Sequence, residues 1–242
     1  AKRSSSGTDL QTRVEDAFET LPDRYLGAPP GYDVTFHVRL GDVGHTFEVR
    51  ATSGTVRVRK GISRRPADVV LGTDLKTWLA LREGTINGID AFLQRRLYAR
   101  GDLDLALQFE SLFRLPDGRE PHLLLRHVGR KGTRVSVASL GEGPDVLLIH
   151  GLGGTKSNFL DLAAHLARAG NRVHAVDLPG FGGSDKPLLA PYEARWFAGV
   201  MFDAMDRLGI PRAHLVGNSL GGRIAIEMGL AHPGRVRSVA AL

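Results

Sequence analysis

Gly217-Asn218-Ser219-Leu220-Gly221 is a G-x-S-x-G sequence, and its setting decides how the second half of the chain is read. Leu215 and Val216 precede it as strand-like apolar residues, and Gly222, Ile224, Ala225 and Met228 follow at helical spacing. A strand that turns sharply into a helix lifts one side chain clear of its sheet. Glycines two before and two after that side chain leave room for the turn. The spacing therefore predicts Ser219 as a nucleophile that needs a base. Downstream of it the only carboxylate is Glu227 and the only histidine is His232. On the following helix these stand roughly 12 and 20 Å along the axis from the serine, at ~1.5 Å per residue. Neither reaches it.

Working outward, strands and helices alternate. Candidate strands lie near 123–128, 134–139, 146–149, 172–176, 214–217 and 236–242, with candidate helices over 158–169, 192–208 and 220–231. That order, with near-continuous apolar strands, predicts a mostly parallel α/β sheet covered on both faces. Two more loops fall at strand carboxyl ends, where open α/β sheets place their sites. In His150-Gly151-Leu152-Gly153-Gly154, neighbouring glycines let backbone N–H groups point into a cavity, as a developing oxyanion requires. A phosphate loop is excluded because Thr155, not glycine, precedes Lys156, and Lys156 also breaks the dinucleotide pattern G-x-G-x-x-G. In Asp177-Leu178-Pro179-Gly180-Phe181-Gly182-Gly183-Ser184 the acid reads as the organiser of a turn, gathering backbone donors. His150, His214 and His232 read as structural.

The first half has a different pattern. Val34, Phe36, Val38 and Leu40 alternate with Asp33, His37 and Arg39, and the period of two returns at Phe47/Val49 and at Val56/Val58. With Gly41-Asp42 and Ser53-Gly54 between the runs, this predicts an antiparallel meander, apolar on one side and charged on the other. Thr73 or Asp74 can cap a helix carrying Leu75, Trp78, Leu79 and Leu81; Ile89, Ala91, Phe92 and Leu93 form a short cluster; Asp102 can cap a helix from Leu103 to Phe113. Helices this apolar need a sheet, a ligand or both to cover. Pro116-Asp117-Gly118 and Pro121 then break the pattern. The expected organisation is a flexible segment 1–11, a domain 12–115, a linker 116–121 and a second domain 122–242.

Composition sets outer limits. Lys and Arg number 32 against 26 Asp and Glu, a net +6. The densest basic run, Arg57, Arg59, Lys60, Arg64 and Arg65, has two readings: a solvated strand face and turn, or contact with an anionic membrane surface. No nucleic-acid motif accompanies it, so nucleic acid is not an expected partner. The absence of cysteine excludes disulfides, thiolate zinc sites and cysteine nucleophiles, and fits a reducing compartment. No apolar run approaches the ~20 residues of a membrane span, and the start lacks the apolar core of a secretion signal. A cytoplasmic protein is expected. The chain lacks an initiator methionine, and its tail, Val236 to Leu242, reads as a buried strand. We therefore expect a piece cut from a longer chain, one whose apolar edge aggregates or takes a partner. Oligomeric state is not legible.

The three loops together resemble a known family. H-G-L-G-G at 150–154, D-L-P-G-F-G-G-S at 177–184 and G-N-S-L-G at 217–221 occur in the order found in the first half of an α/β-hydrolase-fold domain. The resemblance implies Ser219 as nucleophile, with the backbone N–H groups of Leu220 and Leu152 as the oxyanion hole. It implies an acid and a histidine, with any lid, beyond Leu242, and no metal or organic cofactor. A serine nucleophile argues against the dehalogenases and epoxide hydrolases of the fold, which use aspartate. Residues 12–115 resemble the sterol carrier protein 2-like lipid-binding domain, an α+β fold. This resemblance rests on the meander, the helix at 73–82, Gly84-Thr85-Ile86-Asn87-Gly88 and the run through Arg100-Gly101-Asp102. It implies a tunnel for an acyl chain, acyl-CoA or sterol, with Trp78, Leu79, Phe92, Leu103 and Leu107 as lining candidates; ordinary core is the other reading of these five. The expectation is a serine hydrolase of ester or thioester bonds with a small-molecule acyl or lipid substrate, inactive as this chain alone. The alternatives are a lipid carrier whose hydrolase domain is catalytically incomplete, and an adaptor on an anionic membrane.

Overall fold

The computed structural model describes residues 5–29 and 31–242, with side chains from residue 12 onward. It divides between His122 and Leu123 into two compact units.

In the first unit the alternating runs become β1 (Asp33–Leu40), β2 (His45–Thr52) and β3 (Val56–Lys60), an antiparallel meander. Two strands absent from the sequence reading complete the sheet. β4 (Val69–Thr73) lies parallel to β1, and β5 (Leu97–Gly101) antiparallel to β4, giving the order β3-β2-β1-β4-β5. Helices α2 (Leu75–Glu83) and α4 (Leu103–Ser111) start where their caps predict, and the short apolar cluster becomes α3 (Gly88–Leu93) behind a cap the sequence reading did not mark. The Asp74, Asn87 and Asp102 side chains each accept a backbone N–H of the first turn. A further helix, α1 (Ser5–Glu19), occupies much of the segment expected to be flexible; residues 1–4 lie outside the described residues. Its Val14, Ala17 and Phe18, with Leu21 just beyond, enter the core at helical spacing. Phe18 stacks on Phe47 at 3.8 Å between ring centroids and on Trp78 at 4.6 Å. The stretch 116–121, expected as a linker, contains a turn closed on the first unit: Leu115 N donates to Arg119 O and Gly118 N to Leu115 O, both at 2.9 Å.

The second unit is a six-stranded mixed sheet in the order β11-β10-β8-β9-β7-β6. β6 (Leu123–Val128) and β7 (Val135–Leu140) are antiparallel; β8 (Asp145–Ile149), β9 (Arg172–Val176), β10 (Ala213–Gly217) and β11 (Val236–Ala241) run parallel to one another. β8 is buried along its whole length and uses both faces. Val146 and Leu148 pack with Phe159 and Ala163 at α5 (Leu160–Arg168). Leu147 and Ile149 pack with Phe197 and Met201 of α6 (Ala194–Arg207) and Ile224 and Met228 of α7 (Leu220–Ala231). The tail forms β11 as expected but is not buried. Only Val236 is, because β11 is an edge strand with a neighbour on one side.

Candidate active site

The turn from β10 to α7 is held by backbone contacts that only glycine permits. A Cβ on Gly217 would overlap the Gly221 backbone, and one on Gly221 would overlap the Ile149 carbonyl. Asn218 N donates to Ile149 O at 3.1 Å, Ser219 N to Leu242 O at 2.7 Å and Leu242 N to Gly217 O at 2.9 Å. Pinned on both sides, Ser219 adopts φ 52, ψ −112, a left-handed conformation rarely taken by a non-glycine residue. Such geometry costs on the order of 1–3 kcal/mol. The result is an exposed Ser219 at the mouth of α7. Leu220 is the first residue of that helix, so its N–H has no carbonyl to meet within the helix.

The glycine loop after β8 lies against this turn. A Cβ on Gly151 would stand 3.2 Å from Ser219 Cβ and 3.0 Å from Asn218 Oδ1, so the loop approaches the serine as closely as its missing side chain allows. Leu152 follows directly, its side chain 78% exposed. His150 fixes the loop. Its Nε2 accepts the Leu178 N–H at 2.9 Å, which leaves the proton on Nδ1 to donate to Gly151 O at 2.7 Å. Burial lowers the His150 pKa below its ordinary 6.5, outweighing the Gly151 hydrogen bond, and keeps the ring neutral.

Asp177 gathers donors as its loop predicts. It accepts Lys156 N at 2.6 Å and Gly183 N at 2.9 Å. A Cβ on Gly182 would fall on the Asp177 carboxylate. The sequence reading missed its third donor, Lys156 Nζ, in an ion pair with 1% exposure on one side and 0% on the other. Lys156 enters the sequence reading only as the residue after Thr155 in the excluded phosphate loop and as the break in the dinucleotide pattern, and nothing local marks it as buried. The pair ties the 150–156 loop to the 177–184 loop.

His232, Glu227 and His214 are engaged with partners other than Ser219. His232 packs its ring on Phe202, and Glu227 pairs with Arg223. His214 bonds Ser238 Oγ. A buried Ser139–His174–Asp145 chain, with both links 2.9 Å, looks like a triad, but Asp145 opens β8 and His174 is the middle residue of β9, whereas Ser219 follows the carboxyl end of β10. Arg172 also pairs with its Asp145. Among the described residues, no group of three or more His, Cys, Asp or Glu could hold a metal ion, and no helix is long and apolar enough to cross a membrane.

The five lining candidates of the first unit separate. Trp78 and Leu79 belong to the main core; Leu107 is buried; Leu103 is half-buried; Phe92 is 37% exposed. The Trp78 indole Nε1 is buried without a hydrogen-bond partner among the described residues, an orphaned donor in an apolar setting.

Comparison with known proteins agrees with this division. Over 107 residues the chain is 42% identical to the 2-hydroxy-6-oxononadienedioate/2-hydroxy-6-oxononatrienedioate hydrolase of Paraburkholderia phymatum, covering 43% of this chain and 37% of that protein. It is 38% identical over 105 residues to the pimeloyl-(acyl-carrier protein) methyl ester esterase of Aeromonas hydrophila subsp. hydrophila, covering 43% and 39%. It is 34% identical over 114 residues to bifunctional epoxide hydrolase 2 of Rattus norvegicus, covering 47% and 21%. The chain thus spans less than half the length of each of these relatives, all of them hydrolases by name. The family model of the alpha/beta hydrolase fold matches residues 144–242, and that of the SCP-2 sterol transfer family matches residues 31–114. The chain joins an SCP-2 sterol transfer domain to an alpha/beta hydrolase domain.

Proposed function

We propose that the second unit is the nucleophile-bearing part of a serine hydrolase acting on ester or thioester bonds of apolar acyl substrates. On this proposal the first unit binds the lipid. The observation that carries the reading is the forced backbone of Ser219 beside Gly151, which presents one hydroxyl at a helix N-terminus against a glycine loop. Ser219 Oγ attacks the acyl carbonyl, and the N–H groups of Leu152 and Leu220 receive the developing oxyanion. The leaving alcohol or thiol departs, and water releases the acyl group from the serine. Removing one oxyanion donor from such a site typically costs ~10²–10³ in rate. With His232 on Phe202 and Glu227 on Arg223, the base and its acid on this reading come from residues outside 1–242. The second reading is a lipid carrier whose hydrolase domain is catalytically incomplete. It is favoured by those same two placements.

The test is labelling with a fluorescent fluorophosphonate, applied to the full-length gene product, to residues 1–242 and to each with Ser219→Ala. We expect the full-length protein to label, the alanine variant to be blank, and residues 1–242 to label weakly or not at all. A folded full-length protein that stays unlabelled sinks the hydrolase and leaves the carrier.

A further inference from the structure

We propose that the outer face of the first unit's sheet, with the segment 61–68 that crosses it, docks on an anionic phospholipid bilayer. The strand register sets one side of the sheet apart. Val34, Phe36, Val38 and Leu40 face the core, while Arg39, the Arg57 and Arg59 of β3, and the Tyr98 and Arg100 of β5 point the other way. The chain between β3 and β4 straps this outer face. Glu48 of β2 accepts Ser63 N at 2.8 Å and Ser63 Oγ at 2.7 Å, and Asp68 Oδ2 accepts Thr35 N at 2.8 Å.

Charge on the face is not balanced. Arg39, Arg57, Arg59, Arg64 and Arg100 are all exposed, and none makes an ion pair among the described residues. The acids nearby are already engaged: Glu48 and Asp68 hold the strap, and Asp33 pairs with both Arg50 and Arg65. Five unneutralised guanidiniums on one face attract a polyanion. Two apolar groups stand among them. Ile62 is 53% exposed on the strap, and Tyr98, also 53% exposed, lies over Gly72, where a Cβ would overlap its ring. Beside the strap, a depression of about 480 Å³ is lined by Arg39, His45, Lys60 and Ile62 among others, so cations and an apolar side chain share one hollow. That mixture matches the boundary between phosphate headgroups and acyl chains, where tyrosines and long cationic side chains settle. A nucleic acid would use the arginines and leave Ile62 idle, which is why the bilayer is favoured.

The experiment is sedimentation of the 242-residue chain with vesicles of phosphatidylcholine alone, and with about one-third phosphatidylglycerol. Wild type is expected to bind only the anionic vesicles and to release as salt rises. Each cation near an anionic surface contributes about fivefold in partitioning, so Arg57→Glu/Arg59→Glu is expected to bind about 25-fold more weakly or worse. Lys131→Glu/Arg237→Glu, the same charge change on exposed residues of the second unit, should lose only a few-fold. Arg39→Gln/Arg100→Gln removes charge from β1 and β5 without adding any, and covers the case in which glutamates disturb β3. Ile62→Ser is expected to weaken vesicle binding several-fold at unchanged charge. Failure of wild type to bind anionic vesicles overturns the proposal, as does an equal loss in the second-unit pair. Indifference to Ile62→Ser, with equal retention on DNA, would make the face a general polyanion contact and overturn the bilayer. Fluorophosphonate labelling of Ser219 is blind to all these variants, so this inference and the hydrolase reading fail separately.

Discussion

The two units are held together in different ways. In the first, Phe18, Phe47 and Trp78 form a stack that Phe109 extends toward Phe36 and Phe113. Most tight places there are filled by side chains, as Tyr98 fills the space over Gly72, with Gly101 against the Asp68 carbonyl the exception. In the second, the tight places around the site are backbone against backbone: Gly217 on Gly221, and Gly221 on Ile149. A side-chain core has many solutions, because any set of apolar residues of the right volume and pattern nearly fills it. A backbone contact has one, since every residue but glycine brings a Cβ. This is why the second unit carries short, sharp sequence motifs and the first only a diffuse pattern.

Substitutions can break that contrast. The largest effect is expected at Gly221→Ala, whose methyl has only the Ile149 and His150 backbone to displace. A loss on the order of 4 kcal/mol or more is expected, within the rare severe class. Gly229→Ala in the same helix meets nothing closer than Val239 Cγ2 at 3.6 Å, so it should be neutral or stabilising by up to about 1 kcal/mol. Denaturant unfolding of the two variants measures the gap, and similar midpoints would dissolve the distinction. In the first unit, Phe18→Ala is expected to cost ~3–5 kcal/mol, whereas Phe18→Leu should recover more than half of that by refilling the volume. Hydrogen exchange on β1 and β2 reads this locally. A leucine as damaging as alanine would make this core as particular as the glycine turn.

The smallest expected effect is pH-dependent. Burial lowers the pKa of both His150 and His174 from 6.5, against hydrogen bonds to Gly151 and Asp145 that work the other way. The unfolded chain therefore takes up protons near pH 6.5 while the folded second unit does not. The stability these two neutral rings contribute is complete above that pH. It is lost as pH falls below 6.5 toward their lower folded values. In the first unit, Asp74 and Glu48 are held below their ordinary 3.8 and 4.5, by hydrogen bonds from Thr77 and Ser63 that outweigh burial. Their contribution is lost only as pH falls below those values. Protection of β8 and β9 should accordingly decline as pH falls from about 6.5 to about 5.5. Protection that is flat across this window would remove the histidines from the account.

The sequence reading was sharpest where one residue type has one physical use. Ser219 between its glycines, the glycine loop beginning at His150, and Asp74 and Asp102 as helix caps were all legible because each acts on the backbone within a few residues of itself. The misses share the opposite property. α1 begins in the serine-rich start, 1–11, that reads as flexible, and its Val14, Ala17 and Phe18 become core only because Phe47 and Trp78 arrive from distant segments. β4 and β5 are short, and they become strands through pairing with β1 and with each other. β11 reads as a buried strand because its residues are apolar, but burial depends on the neighbours in the sheet.

By itself, the sequence determined that a serine would stand on a strand-to-helix turn, that glycine loops would surround it, and that a separate α+β unit would precede them. Steric demands of the backbone are local, so they are written locally. Only the tertiary structure decided that Lys156 and Asp177 form a buried pair, that His150 clamps the glycine loop to Leu178, and that five arginines from β1, β3, β5 and the strap share one face. Those relations join residues far apart in the chain. Burial, pairing and net field are properties of neighbours that the chain acquires on folding.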